Sequence, residues 1–143
     1  MLIAIASALL AASSPRAAPL DVAVDVGRFD PSGFPAATLR ERRMPYDTMM
    51  RRVETILRER QCTLAGQTHR RFDISIPYVV KLEPDGTAIR FVVADLGCPQ
   101  LESFAGQIVL ELARAGDFRP TGAAEAEWYA SELRFTAGAL PIH

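Results

Sequence analysis

Lysine, histidine and cysteine are scarce: Lys81 is the sole lysine, and there are two histidines and two cysteines in 143 residues. No C-x-x-C occurs, and His69 and His143 stand in no ligand spacing, so no metal site is expected. There is no G-x-S-x-G and no glycine-rich phosphate loop. Nor does the sequence cluster a nucleophile with a base, or two carboxylates, as catalysis usually requires. His69 lies beside Arg70 and Arg71 and reads as a solvated side chain; Asp85 and Asp95 read as turn residues; Tyr78 has a core address. The chain is therefore expected not to be an enzyme, with no catalytic residue, no metal and no cofactor. A net charge of −1 gives no electrostatic basis for binding nucleic acid.

Long apolar runs are also missing. The opening run, residues 1–12 (MLIAIASALLAA), falls short of the roughly 20 apolar residues needed to span a bilayer. Its length suits the apolar region of a secretory signal peptide, although no basic residue precedes it. A signal peptide is expected over residues 1–18, cleaved near Ala17-Ala18 or at Ser13 or Ser14. In an exported chain, Cys62 and Cys98 read as a disulfide; two buried free thiols are the alternative.

Residues 19–45 form an approach segment. Leu20-Asp21-Val22-Ala23-Val24-Asp25-Val26 alternates as a short strand would, until Gly27, Pro31, Gly33 and Pro35 interrupt it. Residues 38–43 suit a brief helical turn. Residues 46–138 form the main domain and 139–143 a tail. A helix is expected over 46–61, capped by Asp47, with Met50, Val53 and Leu57 on its apolar stripe. A strand over 72–83 places Ile74, Ile76, Tyr78, Val80 and Leu82 on one side. Pro77, lacking an N–H, demands an edge, a bulge or an irregular start there. Pro84-Asp85-Gly86-Thr87 is a turn, returning through residues 88–94. A second helix over 99–115 buries Leu101, Phe104, Ala105, Ile108 and Leu112, points Glu102 and Glu111 outward and stops at Gly116. In the last strand, 127–136, Tyr129, Ser131, Leu133 and Phe135 alternate against Trp128, Ala130, Glu132 and Arg134. The expected fold is α+β: a small antiparallel three-stranded sheet packed against two helices, in the order α-β-β-α-β.

Charge is divided along the chain. Residues 40–71 hold nine arginines and four acids; residues 83–132 hold nine acids and three arginines. Two solvated faces that partly pair with each other explain this; an anionic partner or membrane surface for the arginine-rich face is the alternative.

Residues 78–135 carry an ordered set of features. An alternating strand (Tyr78, Val80, Leu82 against Val79, Lys81) leads to the Pro84-Asp85-Gly86 turn. A returning strand, Ile89 to Val93, is followed by a helix starting beside Leu101. Phe118-Arg119-Pro120 comes next, and the strand closes on Leu133-Arg134-Phe135. In this order and spacing the chain resembles the C-terminal domain of the TonB family, the resemblance beginning at the first helix. It implies a periplasmic protein-binding module, linked to TonB-dependent transmembrane transport across the outer membrane. Such domains take up the N-terminal segment of an outer-membrane receptor by strand addition: unpaired N–H and C=O groups on a sheet edge supply affinity, and alternate side chains supply selectivity.

Carried onto this chain, the partner-binding edge is the final strand: Trp128, Tyr129, Ala130, Ser131, Glu132, Leu133 and Arg134. The Trp128 ring is either an interface anchor or a lid on a second small core. The family's transmembrane anchor and tandem-proline linker have no counterpart here, since the ten prolines are scattered. An adaptor or regulator in the cell envelope is thus expected, rather than a force-transmitting transducer. The alternative is a self-assembling structural protein, a homodimer joined through its own edge strands, with no transport role.

Overall fold

The computed structural model describes residues 22–41, 44–60 and 62–138. The expected signal segment 1–18 and tail 139–143 lie outside the described residues, as do Leu20, Asp21, Arg42, Arg43 and Gln61. The elements are β1 (Ala23–Gly27), a 3-10 turn (Pro31–Gly33), α1 (Tyr46–Arg58), β2 (Phe72–Leu82), β3 (Ala88–Ala94), α2 (Pro99–Arg114) and β4 (Glu127–Ala137). From residue 46 onward this is the expected α-β-β-α-β order. Among the described residues no helix is long and apolar enough to cross a membrane.

The sheet corrects the expectation of three antiparallel strands: it is four-stranded and mixed, in the order β1-β3-β2-β4. β2 pairs antiparallel with β3 and with β4, while β1 lies parallel to β3. The alternating run before Gly27 therefore adds a strand beside β3, where Val22 and Val24 pack against the core. The Arg90 guanidinium donates from Nε to the Asp25 carboxylate at 2.9 Å and ties the two strands together. The helical turn expected over residues 38–43 is not formed in its described part. Leu39 instead makes an extended bridge to Phe118, with Arg40 N–H donating to the Asp117 carbonyl and Arg119 N–H to the Thr38 carbonyl.

Alternation along β2 divides the sheet into two faces. Phe72, Ile74, Ile76, Tyr78, Val80 and Leu82 are all at most 4% exposed. They face α1 and α2, whose Met49, Val53, Ile56, Leu101, Ala105, Ile108 and Leu112 complete one core. Phe91 stacks obliquely between Tyr78 and Phe118, with ring centroids at 6.1 and 5.9 Å. The opposite face of β2 carries Asp73, Ser75, Pro77, Val79 and Lys81.

Pro77 sits in the interior of the sheet without breaking it. Its register partner on β4 is Glu132, and the β2–β3 ladder begins only at Tyr78. The main-chain groups of the neighbouring pair Ala130 point away from β2, because Ala130 bonds on its outer side to residues 35 and 37. By alternation the Pro77–Glu132 pair is likewise not hydrogen-bonded, so the missing N–H faces the β3 side, where the ladder ends at the Tyr78–Val93 pair. The β2–β3 turn is equally specific: Gly86 has φ 92°, and a Cβ there would lie 2.6 Å from the Phe118 carbonyl oxygen.

Both helices depart from expectation in detail. Pro45, not Asp47, is the N-cap of α1, and Asp47 sits in the first turn, where its charge suits the helix dipole. Starting the helix at Tyr46 brings Met49 and Ile56 into the buried stripe and leaves Met50 at its margin; the helix ends at Arg58. Glu102 does not point outward: it is 7% exposed. Its carboxylate accepts from the N–H groups of Leu96 at 2.8 Å and Cys98 at 3.1 Å, satisfying the donors of the loop that opens α2. Phe104 is half-buried, its ring 5.9 Å from that of Phe135. Gly116, with φ 67°, follows the C-cap Ala115 as the expected stop.

Cys62 and Cys98 form a disulfide, with Cα atoms 5.3 Å apart and a sequence separation of 36 positions. It ties the loop after α1 to the N-cap of α2, as an oxidising compartment allows. Alkylation without reduction should label neither cysteine. Reduction should lower the melting temperature, by a stability loss of up to about 4 kcal/mol from loop-closure entropy. Gly86→Ala should destabilise by about 2 kcal/mol, because a side chain at positive φ also meets main chain; calorimetry measures both.

Candidate functional site at the outer edge of the sheet

β4 is the outermost strand on its side of the sheet, paired along its whole length with β2 from Leu82–Glu127 to Phe72–Ala137. Its residues divide as the sequence suggests. Tyr129 and Leu133 are half-buried on the helix face, packed against the core. Ser131 stands opposite Tyr78 on that face. Burial pushes the Tyr78 hydroxyl up from its ordinary pKa, and a hydrogen bond with Ser131 partly offsets this.

The opposite face carries Trp128, Ala130, Glu132 and Arg134. Trp128 is half-buried opposite Lys81. Ala130 and its neighbour Val79 are buried, at 8% and 3% exposure, on the face opposite α1 and α2. What shields them is the segment after β1. The 3-10 turn is capped by Asp30, whose carboxylate accepts from Ser32 N–H at 3.0 Å. It touches both β2 and β4, so the chain crosses the open face from the β1 side to the β4 side. Pro31, Phe34, Ala36 and Ala37 then bound a groove of about 320 Å³ with Pro77, Ala130 and Glu132. A small apolar patch thus lies under this strap.

The strap also reaches the backbone of the candidate edge. Ala36 makes a parallel bridge to Ala130: Ala37 N–H donates to the Ala130 carbonyl and Ala130 N–H to the Pro35 carbonyl, both at 2.8 Å. Farther along, the Tyr46 hydroxyl donates to the Arg134 carbonyl at 3.1 Å. By alternation, the main-chain groups of Trp128, Glu132, Arg134 and Thr136 share this outward direction. Among the described residues, the main-chain N–H and C=O of Glu132 have no partner there. The edge is therefore open around Glu132 and occupied at Ala130.

The side chains of the far half are held in register by polar pairs across β2. Arg134 donates to both Asp73 carboxylate oxygens, at 3.0 and 2.8 Å, and Thr136 adds a hydroxyl bond at 3.2 Å. Ser75 donates to the Glu132 carboxylate at 2.6 Å. The Arg134 hydrogen bond holds the Asp73 carboxyl below the usual carboxylate range, with Thr136 assisting; Asp73 in turn raises Arg134. Asp73 and Ser75 were not singled out from the sequence. Their parity on β2 was legible, but their partners follow only from the β2–β4 register. Among the described residues no group of three or more His, Cys, Asp or Glu side chains gathers as metal ligands would.

Compared with known proteins, the chain matches no family model, no curated protein and no solved structure.

Asp73 should titrate below an ordinary aspartate when its carboxyl carbon is followed by NMR, and Arg134→Ala should move it back up. Because the folded value lies below the unfolded one, the pair stabilises the fold above the unfolded pKa. That contribution is lost as pH falls through the folded value. An Asp73 titration unchanged by the substitution would contradict the pairing.

Proposed function

We propose that this chain is a protein-binding module of the cell envelope that takes an extended segment of a partner onto the outer edge of β4. The single observation that carries the reading is the position of Glu132: on the outermost strand, with both main-chain groups directed away from β2 and no partner among the described residues. A row of such groups is a template for another strand, and pairing to it yields affinity without a deep pocket. The likeness of residues 46–135 to TonB C-terminal domains supports the same reading, since that family docks receptor segments by strand addition. In the sheet order, β3, β2 and β4 form an antiparallel trio with the closing strand outermost. The Cys62–Cys98 disulfide supports residence in an oxidising compartment, the periplasm on this reading. The partner is a protein or peptide, with the N-terminal segment of an outer-membrane receptor as the first candidate. The role is binding, not catalysis.

Glu132→Pro tests the docking edge. Proline there removes one outward N–H and leaves the β2 ladder intact, because the neighbouring Ser131 and Leu133 carry the inward groups. Titration with synthetic peptides from receptor N-terminal segments should give binding to the native protein and at least tenfold weaker binding to the variant, with an unchanged solution mass. Binding unaffected by Glu132→Pro would remove the site. A stable dimer that ignores every peptide and dissociates in the variant would establish self-assembly through the same edge instead.

A further inference from the structure

The strap has a property that a simple cover would not have. It is anchored firmly at both ends: β1 pairs with β3, and Asp95 N–H donates to the Gly27 carbonyl at 2.9 Å. At the other end, Arg40 N–H donates to the Asp117 carbonyl at 2.7 Å and Arg119 N–H to the Thr38 carbonyl at 2.9 Å. Between these anchors, residues 30–33, 35 and 36 are exposed, while Phe29, Phe34 and Ala37 are half-buried. The main-chain hold on β4 is one bridge of two bonds, at Ala130. The bridge does not extend toward Trp128, because Pro35 has no N–H to offer its carbonyl. It does not extend toward Glu132, because the chain turns away at Thr38 to meet Arg119. An element that paired along the edge would close it; this one touches it at a single residue.

That contact falls between the open position, Glu132, and the largest exposed-face side chain of the strand, Trp128. A strand of ordinary length, about five to six residues, cannot pair through Glu132 and reach Trp128 while residues 35–37 stay on Ala130. At the other end of the open interval the hydrogen bond to the edge, among the described residues, comes from a side-chain hydroxyl, that of Tyr46, which can swing aside without main-chain movement.

We propose that residues 35–37 are an internal occupant of the docking edge, a tethered strap that an incoming strand displaces from Ala130. The inference rests on the strand-addition reading given above. The strap competes within its own molecule, lowers the affinity for weak segments and shields Val79 and Ala130 when no partner is bound. Its release gives up two main-chain hydrogen bonds and the half-buried seat of Phe34, and the incoming strand replaces both.

Amide hydrogen exchange with and without the receptor-derived synthetic peptides separates the outcomes, together with affinities for Ala37→Pro and Phe34→Ala. Ala37→Pro deletes one of the two bridging donors and should tighten peptide binding about fivefold, the equivalent of one net hydrogen bond. Phe34→Ala loosens the strap without altering the main chain and should shift affinity the same way. In the native protein, peptide should speed exchange at Ala37 while Ala130 and Glu132 are protected. If peptide protects Glu132, Arg134 and Thr136 with Ala37 unchanged, and neither variant changes affinity, the partner docks beside the strap: the displacement is overturned and the docking reading stands. If neither the native protein nor either loosened variant binds any peptide, the docking reading fails and takes the strap proposal with it.

Discussion

The long antiparallel ladder between β2 and β4 sets the register of the whole sheet. It runs from Phe72–Ala137 to Leu82–Glu127 without a register shift, whereas the β2–β3 ladder spans only Tyr78 to Leu82 and contains one. A one-residue slip would turn Ile74, Ile76, Tyr78 and Val80 out of the core and bring Asp73, Ser75 and Lys81 into it. The cost of that exchange fixes the register. The register then sets everything at the edge: Asp73 beside Thr136, Ser75 beside Arg134, Pro77 beside Glu132, and the outward direction of the Glu132 main chain. The pairs of Arg134 with Asp73 and Ser75 with Glu132 consequently follow from core packing more than they cause it, since exposed ion pairs stabilise little by themselves.

The two faces of the sheet solve different problems. One face holds the whole aromatic and aliphatic core under α1 and α2, and the disulfide fastens the entrance of α2 to the loop after α1. Glu102 completes that entrance by accepting from the N–H groups of Leu96 and Cys98, while the Cys98 side chain, engaged through its sulfur, caps no helix donor. The other face carries charge and one strap, and its only fully shielded side chains, Val79 and Ala130 among the described residues of β2 and β4, lie where the strap crosses. The proposed docking edge thus adjoins the side of the sheet with the least packing to lose.

Much of the main domain was legible in the sequence because its signals are local. Alternation from Ile74 to Leu82 is strict, Pro84-Asp85-Gly86 marks the turn, and the apolar stripe of α2 recurs at helical spacing. The parity of Trp128 against Leu133 and Phe135 was legible for the same reason. What the sequence left open depends on long-range pairing. Val22, Val24 and Val26 announced a strand without announcing β3 as its parallel neighbour. Met49 and Met50 are adjacent, and only the start of the helix at Tyr46 chooses between them. Glu102 has the helical phase of a surface residue, and its burial follows from the path of the loop carrying Leu96 and Cys98. The strap was the least legible part: Pro31, Gly33 and Pro35 signalled broken structure, but nothing local showed that the broken segment would lie on Ala130.

Whether β4 is an edge strand open at Glu132 is read from amide hydrogen exchange along β4 in the free protein. Exchange should be slow at Tyr129, Ser131, Leu133 and Phe135, whose N–H groups face β2, intermediate at Ala130 under the strap, and fast at Glu132. Exchange at Glu132 as slow as at Ser131 would mean that another element already pairs there, and the docking edge would not exist.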